Sequence, residues 1–243
     1  MPNDRHLVYM TAAESAEPPA APPGASQRWA AVFDLDGTLT WRDTLLPFLT
    51  SFLRRHPWRV LRLWRLPFAL LSFDIRNRDR GLLKSQVIRM VMGGATRNVI
   101  DAHAAWFVDA LKRHHRLRLA ALAMLEAHRT AGDHLVLLSA SPDLYVPRIG
   151  SALGFERTLC TELEWQGERL VGTLKTANRR GIEKLHCLAW LRTQYPGVPI
   201  VAYGNSASDL EHMRCADRAL LVNGNAAARA AAARSGIPTS NWT

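Results

Sequence analysis

Three short apolar runs, each followed at once by polar residues, constrain the fold of this chain most strongly. Residues 30–35, 134–138 and 198–203 are rich in Ala, Val and Leu, and segments with helical periodicity separate them. A fourth short run covers residues 219–222. Strands that alternate with helices predict an α/β fold with a mostly parallel sheet. Ligands bind at the carboxyl ends of parallel strands, so the residues after each run are the first candidates for function.

The interval between the first two runs is long and has a helical pattern throughout. Proline at positions 57 and 67 can open a helical turn, and the apolar spacing continues to Thr130. The pattern predicts helices near 57–66, 67–76, 79–92, 96–116 and 117–131. We interpret residues 45–130 as an all-helical domain inserted into an α/β core that residues 28–44 and 131–243 form. Residues 1–27, rich in Ala and Pro, are predicted to be a flexible tail.

Composition excludes several classes of protein. A hydrophobic content of 48% over 243 residues is enough for a real core. Cys160, Cys187 and Cys215 have neither the number nor the spacing of a disulfide scaffold or a structural zinc site. The sequence contains no apolar run of bilayer-spanning length and nothing that resembles a signal peptide. We therefore expect a cytoplasmic protein.

The polar residues after the runs provide a set of functional groups suited to phosphoryl transfer. They are Asp34, Asp36 and Thr38 after the first run, Ser139, Ala140 and Ser141 after the second, Asn205 and Asp209 after the third, and Lys184 at the start of the preceding helix. One carboxylate can attack phosphorus, and a second can protonate the leaving group. A lysine and a hydroxyl can neutralise phosphoryl oxygens, and oxygen ligands can hold Mg²⁺.

Four segments resemble, in order, the motifs of the haloacid dehalogenase (HAD) superfamily of phosphohydrolases. They are DLDGTLT at 34–40, LLSAS at 137–141, RGIEK at 180–184 and YGNSASD at 203–209. The resemblance covers residues 29–225 and implies a Rossmann-like parallel-sheet core with an inserted helical cap of the C1 type. The segment after the second motif is similar to subfamily IB. That subfamily includes phosphoserine phosphatases, some histidinol-phosphate phosphatases and the C-type phosphatidylglycerophosphatases.

This resemblance implies a role for each motif residue. Asp34 would be the nucleophile and Asp36 the general acid and base. The phosphoryl group would be bound by Thr38, Ser139, Ala140 and Lys184, and Mg²⁺ by Asp34, the Asp36 carbonyl, Asn205 and Asp209. Ser141 is an alternative to Ser139, because its hydroxyl lies only two residues further on. Asp43, at the entrance to the insertion, either contacts substrate, forms a salt bridge or caps a helix.

One residue departs from the family pattern. The fourth motif usually begins Gly-Asp, whereas this chain has Gly204 followed by Asn205. An amide oxygen can still ligate Mg²⁺, but it brings no charge. We therefore expect weaker metal binding rather than a different reaction.

The inserted helices account for all of the net positive charge of the chain. The chain has a net charge of +10, and residues 45–130 contain 16 basic and five acidic residues. Arg59 and Arg62 lie at helical spacing, opposite Leu61, Trp64 and Phe68. This composition is typical of a helix on an anionic membrane. It is equally typical of a cap helix whose apolar face packs inside the protein and whose arginines face solvent.

The sequence thus predicts a Mg²⁺-dependent phosphomonoester hydrolase that forms an aspartyl-phosphate. RDTLLPFL at 42–49 and GLLKSQVIRMVMGG at 81–94 are more similar to the phosphatidylglycerophosphatase C type than to the phosphoserine type, so a lipid phosphate is the first expected substrate. A soluble metabolite, histidinol phosphate or phosphoserine, is the alternative. A third hypothesis is a catalytically weak module that binds a membrane or a polyanion. We find no nucleic-acid-binding motif.

Overall fold

Six parallel strands form the centre of the computed structural model, which describes residues 27–68, 71 and 79–242. A separate antiparallel hairpin lies beside them. The strands are β1 (Ala30–Phe33), β2 (His134–Pro142), β3 (Arg157–Thr161), the hairpin strands β4 (Leu163–Gln166) and β5 (Arg169–Leu174), β6 (Ile200–Gly204), β7 (Arg218–Val222) and β8 (Thr239–Ser240). The order in the main sheet is β3-β2-β1-β6-β7-β8.

β1 lies in the middle of the sheet, with a parallel neighbour on each side. Phe33, its last residue, pairs with Leu137 of β2 and with Tyr203 of β6. All four residues of β1 are buried, as expected for a strand covered on both faces. The chain leaves β1 towards β2 on one side and later returns to β6 on the other. The carboxyl end of β1 is therefore a topological switch point, where open α/β sheets bind their ligands.

Helices fill the insertion and flank the sheet. They are α1 (Leu45–Arg55), a 3₁₀ helix (Pro57–Arg65), α2 (Arg80–Met92), α3 (Arg97–Arg113), α4 (Leu119–Thr130), α5 (Val146–Ala152), α6 (Ile182–Gln194), a 3₁₀ turn (Ala207–Asp209), α7 (Leu210–Arg214) and α8 (Ala226–Arg234). Residues 66–68 and 71 are also helical. Asp79 caps α2 by accepting hydrogen bonds from Gly81 N and Leu82 N at 2.8 and 3.1 Å. Among the described helices, none is long and apolar enough to cross a bilayer.

The inserted helices pack in two groups. α1, the 3₁₀ helix and α2 contact one another, and α3 contacts α1. α4 contacts β2 and the turn after β1 instead, so it forms part of the layer that covers the sheet. The predicted domain limits, with the cap at 45–130, stay a prediction. The predicted tail lies outside the described residues except for Gln27, as do residues 69, 70 and 72–76 of the predicted helix at 67–76.

One predicted pairing is wrong. The sequence suggested that residues 157–164 form a hairpin with residues 169–174, but only β4 pairs with β5. Residues 157–161 are instead β3, a parallel edge strand beside β2. The reason is the crossover: residues 143–156 contain α5 and return the chain to the start of the sheet, which a parallel pair requires. α8 and β8, near the C-terminus, were not predicted.

The 3₁₀ helix does not orient its two faces as an ordinary cap helix would. Arg59 is only 6% exposed, and its Nη1 donates to the carbonyls of Val91 and Gly93 at 3.0 and 3.1 Å. Leu61 and Trp64 are 80% and 65% exposed. The arginine side is thus partly inside the protein and the apolar side outside, which contradicts the expectation of a packed apolar face.

Candidate active site

The carboxyl ends of the central strands open into a cavity of about 450 Å³. Residues predicted from three motifs line it together: Asp34, Asp36, Lys184, Asn205 and Asp209. Ala140, from the second motif, and Asp43 also lie on its wall. The described structure therefore brings most of the predicted site residues to one place, although they are spread over 176 positions of the sequence.

Lys184 joins two of the predicted carboxylates on the cavity floor. Its Nζ donates to Asp34 Oδ1 at 2.5 Å and to Asp209 Oδ1 at 2.7 Å. All three side chains are buried. Burial disfavours the charged form of Lys184, but the negative charges of Asp209 and Asp34 outweigh it and raise the lysine pKa. Lys184 is therefore a permanent cation beside Asp34, where an incoming phosphoryl group would need one.

Asp34 occupies the position after the last residue of β1. Its backbone N–H donates to Tyr203 O at 2.9 Å, which anchors it to β6. Thr38 Oγ1 donates to Asp34 Oδ2 at 3.3 Å. Burial raises the pKa of Asp34, Lys184 opposes this, and the nearby Asp209 and Asp36 charges add to it. Added positive charge in the cavity would favour the ionised, nucleophilic form of Asp34.

Asp36 is held on both of its carboxylate oxygens. Thr44 donates to Oδ1 through its N–H and its hydroxyl, both at 2.7 Å, and Ser141 Oγ donates to Oδ2 at 2.6 Å. The Tyr145 hydroxyl lies 2.9 Å from Thr44 Oγ1 and completes the support. Burial first, and then the charge of Asp43, raise the pKa of Asp36, although these hydrogen bonds lower it. A fixed carboxyl of raised pKa suits a general acid and base.

The turn between the two aspartates depends on Gly37. Gly37 has φ +81°, in the left-handed region, and a Cβ there would lie 1.9 Å from Asn205 Nδ2. Glycine is therefore required both by the backbone conformation and by the close approach of the Asn205 amide. This contact brings the fourth motif against the first.

Asp209 organises the loop of the fourth motif. Its Oδ2 accepts hydrogen bonds from Ser206 Oγ at 2.7 Å, Ser206 N at 3.0 Å and Asn205 N at 3.3 Å. Burial acts to raise the pKa of Asp209, but Lys184 and His212 outweigh it and hold that pKa well below its usual range. Asp209 is thus a stable anion that positions both Lys184 and Asn205.

The oxygen donors of the cavity fit Mg²⁺. Asp34, Asn205 and Asp209 line it together with Asp36, and carboxylate, amide and backbone oxygens are the ligands that this cation prefers. Among the described residues, no group of three or more His, Cys, Asp or Glu side chains is arranged to hold a metal. A Mg²⁺ ion bound here would need the Asn205 amide and a backbone carbonyl as well as carboxylates.

Two predicted phosphate-binding residues lie behind the cavity wall. Thr38 and Ser139 are both fully buried, and neither lines the cavity. Ser139 Oγ accepts a hydrogen bond from Ser141 N at 3.0 Å, so it shapes the end of β2, which presents Ala140 and Ser141. The phosphate contacts of Thr38 and Ser139 stay predictions. Ser141, the alternative to Ser139, has its hydroxyl directed to Asp36.

Asp43 has the helix-capping role that the sequence left open, and it also reaches the cavity. Its Oδ1 accepts hydrogen bonds from Leu45 N and Leu46 N at 3.0 and 3.3 Å, at the start of α1. The side chain lines the cavity as well. A contact with substrate stays a prediction.

Sequence reasoning missed the cavity residues that come from outside the motifs. Lys84, from α2, donates to Ala140 O and to Asn178 Oδ1, both at 2.6 Å. Arg80, also outside the motifs, lines the same cavity, and so does Arg180, the first residue of the third motif. In the sequence Lys84 is one of 16 basic residues of the insertion, and nothing in its spacing distinguishes it. Only the packing of α2 on the core places it in the site.

Comparisons with known proteins identify the family of the chain and relatives of similar fold. The haloacid dehalogenase-like hydrolase family matches residues 31–214. Protein CicA of Caulobacter vibrioides is 34% identical over 193 residues, which cover 76% of this chain and 82% of that protein. A protein of unknown function from Bordetella pertussis Tohama I is 20% identical with a TM-score of 0.67, over 88% of this chain and 98% of that one.

A phosphoserine phosphatase, solved as a phospho-aspartyl intermediate analogue, has a similar fold. It is 13% identical with a TM-score of 0.58, over 84% of this chain and 90% of that one. These likenesses confirm the predicted α/β fold. The chain belongs to the haloacid dehalogenase-like hydrolase family.

Proposed function

We propose that the chain is a phosphatase that hydrolyses phosphomonoesters through an aspartyl-phosphate on Asp34. The observation that carries the proposal is the position of Lys184, which bonds Asp34 at 2.5 Å and Asp209 at 2.7 Å beside the fixed carboxyl of Asp36. The proposed cation (Lys184), nucleophile (Asp34) and acid (Asp36) thus lie together at the topological switch point of the sheet. The phosphoserine phosphatase of similar fold, solved as a phospho-aspartyl analogue, supports the same chemistry.

The reaction would proceed in two displacements. A carboxylate oxygen of Asp34 attacks phosphorus, the bond from phosphorus to the ester oxygen breaks, and Asp36 gives its proton to the departing oxygen. In the second step water attacks the phosphorus, Asp36 takes a proton from that water, and the bond to Asp34 breaks to release phosphate. Lys184 neutralises phosphoryl oxygens in both steps.

Mg²⁺, held by Asp34, the Asp36 carbonyl, Asn205 and Asp209, would supply positive charge that lets an anionic nucleophile meet an anionic substrate. Neighbouring residues would position the groups that act on the substrate. Asp209 keeps Lys184 in place, and Gly37 lets Asn205 approach the first motif.

Phosphate release from a generic aryl phosphate tests the proposal. We expect release that depends on added Mg²⁺ and that falls at least about 10³-fold in Asp34→Asn, because removing a nucleophile costs this much or more in other enzymes. Thermal unfolding of the variant controls for loss of fold. Release that is absent at every Mg²⁺ concentration would favour the alternative of a catalytically weak binding module.

For the substrate we propose a lipid phosphate such as phosphatidylglycerophosphate, with histidinol phosphate and phosphoserine as soluble alternatives. The support is an apolar surface on the insertion: Trp58, Leu61, Trp64 and Phe68 are each more than half exposed on the 3₁₀ helix and the residues that follow it. A panel of these substrates, the lipid presented in mixed micelles, distinguishes them by kcat/KM.

We also propose that this apolar face contacts an anionic membrane, on its cytoplasmic side. Exposed aromatic and aliphatic side chains that lie next to basic residues are the composition of an interfacial helix. Arg59 and Arg62 stack near the Trp58 ring, with guanidinium carbons 4.7 and 5.6 Å from its centroid. The excess of basic residues in the insertion would add attraction to anionic lipids.

Vesicle binding tests the membrane contact. Leu61→Glu should weaken sedimentation with phosphatidylglycerol vesicles by about tenfold, since it puts a charge in the apolar face. Leu119→Glu is the matched control, because Leu119 is also 60% exposed but lies on α4. Equal binding by both variants, or binding of wild type to neutral vesicles alone, would contradict the proposal.

A further inference from the structure

We infer that Lys84, together with Arg80 and Arg180, forms a subsite for a second anionic group, carried by the part of the substrate that leaves as an alcohol. The inference rests on the proposed phosphatase function and adds the chemical class of the substrate. It concerns one wall of the cavity, which the described residues of α2 and of the segment before α6 provide.

Lys84 connects the insertion to the catalytic core through hydrogen bonds. Its ammonium group donates to Ala140 O at 2.6 Å, directly next to Ser141, which holds Asp36. It also donates to Asn178 Oδ1 at 2.6 Å. These are its two hydrogen-bond partners among the described residues, and an ammonium group has three N–H bonds. One N–H therefore remains for a ligand in the cavity.

The charges along the cavity leave an excess of cations on this side. Lys184 is bonded to both Asp34 and Asp209, so these three groups together leave one negative charge on the floor of the cavity. Of the other lining residues, Arg42, Arg80, Lys84 and Arg180 are cationic, and Asp36 and Asp43 are acidic. Four positive groups thus face two carboxylates above the place where the phosphoryl group would bind. A phosphoryl dianion that binds together with Mg²⁺ would not neutralise these extra cationic side chains, because its negative charge is cancelled by the positive charge of the metal.

A substrate with a second negative charge would complete the cavity. The group could be a carboxylate or a phosphodiester, since both accept hydrogen bonds from ammonium and guanidinium groups. A leaving group with a positive charge, as in histidinol phosphate, would be repelled by Lys84 and its neighbours. The subsite therefore predicts that substrate preference follows the charge of the leaving group rather than its size.

Two substrate pairs test the subsite and separate the two kinds of anion. Phosphoserine and phosphoethanolamine differ by one carboxylate, and glycerophosphoglycerol phosphate and glycerol 3-phosphate differ by one phosphodiester-linked glycerol. We expect a kcat/KM preference of about tenfold or more for the member with the extra anion in at least one pair. Preference in the first pair points to a carboxylate and in the second to a phosphodiester. Equal kcat/KM within both pairs would overturn the inference.

Lys84→Gln should reduce the preference several-fold, mainly through KM, while Lys84→Arg restores it. Lys112→Gln is the matched control, because Lys112 is an exposed lysine of the same insertion that does not line the cavity. A purely structural role for Lys84 would lower kcat/KM equally for both members of a pair, and that result would contradict the subsite.

The failure of the proposed function can be told apart from the failure of the subsite. If no substrate is hydrolysed, calorimetry with the Asp34→Asn variant and the same four ligands still measures the subsite. Tighter binding of the member with the extra anion, lost in the double variant with Lys84→Gln, would support it. Equal affinity within both pairs would overturn it.

Discussion

The protein holds the side chains of the cavity floor (Asp34, Asp36 and Asp209) more firmly than those of the cavity wall (Arg80, Lys84 and Arg180). On the floor, Asp34 and Asp209 are buried and Asp36 is partly buried, and each accepts at least two hydrogen bonds from the protein. On the wall, Arg80 and Arg180 are exposed and only Lys84 is tied to the core. Under the proposed function, the floor would carry out one reaction, whereas the side chains of the wall could vary with the substrate without disturbing the floor. This contrast predicts that mutations on the two sides have different kinetic signatures.

The largest effect in this comparison is expected at Asp36. Asp36→Asn keeps the size of the side chain but removes the proton that the leaving group needs. We expect kcat for an alkyl phosphate to fall by about 10²–10⁴-fold with little change in KM. An aryl phosphate, whose leaving group needs less protonation, should be affected less. Equal losses for both esters would show that Asp36 is not the acid.

We expect that the stability of the insertion can be lowered without a change in activity, and substitution of Arg59 tests this. Arg59→Leu removes hydrogen bonds to Val91 O and Gly93 O and should lower the free energy of unfolding by about 1–3 kcal/mol. Denaturant titration measures this. Arg54→Leu, at an exposed arginine of α1, should change stability much less. Activity on a small aryl phosphate should stay within about twofold of wild type in both variants.

Asn205→Asp should sharpen the account of the floor. The substitution adds a carboxylate at the proposed metal position, and we expect the Mg²⁺ concentration for half-maximal activity to fall by about tenfold. Activity at saturating Mg²⁺ should be retained. Complete loss of activity in a folded variant would contradict the assignment of Asn205 to the metal site.

The smallest effect concerns the pH dependence of the wall. Burial, with a further contribution from Arg180, lowers the pKa of Lys84 to about 8, while Asp36 and Asp43 oppose this. A lysine of lowered pKa is charged below that pH and neutral above it. The preference for a substrate with a second anion should therefore decline a few-fold between pH 7 and pH 9. In Lys84→Arg the ratio should stay flat, and a decline there would exclude Lys84 as the source.

The catalytic floor could be predicted from the sequence because it depends on strand ends. Asp34, Ser139 and Asn205 each follow an apolar run, and parallel strands must bring those positions to one edge. Lys84 could not be predicted in the same way. Its place depends on how α2 packs on the core, and a single lysine on an amphipathic helix does not reveal that.

The faces of the 3₁₀ helix show a second limit of sequence reasoning. Amphipathic spacing separates arginines from apolar residues but does not say which side faces inwards. Here α2 ends at Met92 and leaves carbonyl groups that need donors, and Arg59 and Arg62 supply them. Arg59 therefore turns inwards, Arg62 bonds a carbonyl while it stays exposed, and Leu61 and Phe68 remain exposed. The edge strand β3 was mispredicted for a related reason, since strand propensity does not identify the partner strand.

The central claim is that Asp34 becomes phosphorylated during turnover. Rapid acid quenching of the enzyme with an aryl phosphate and Mg²⁺, followed by mass spectrometry of its peptides, tests this directly. We predict a phosphate adduct on the peptide that contains Asp34, present during turnover, absent without Mg²⁺ and absent in Asp34→Asn. Steady phosphate release with no adduct on that peptide, or an adduct that persists in Asp34→Asn, would contradict the account.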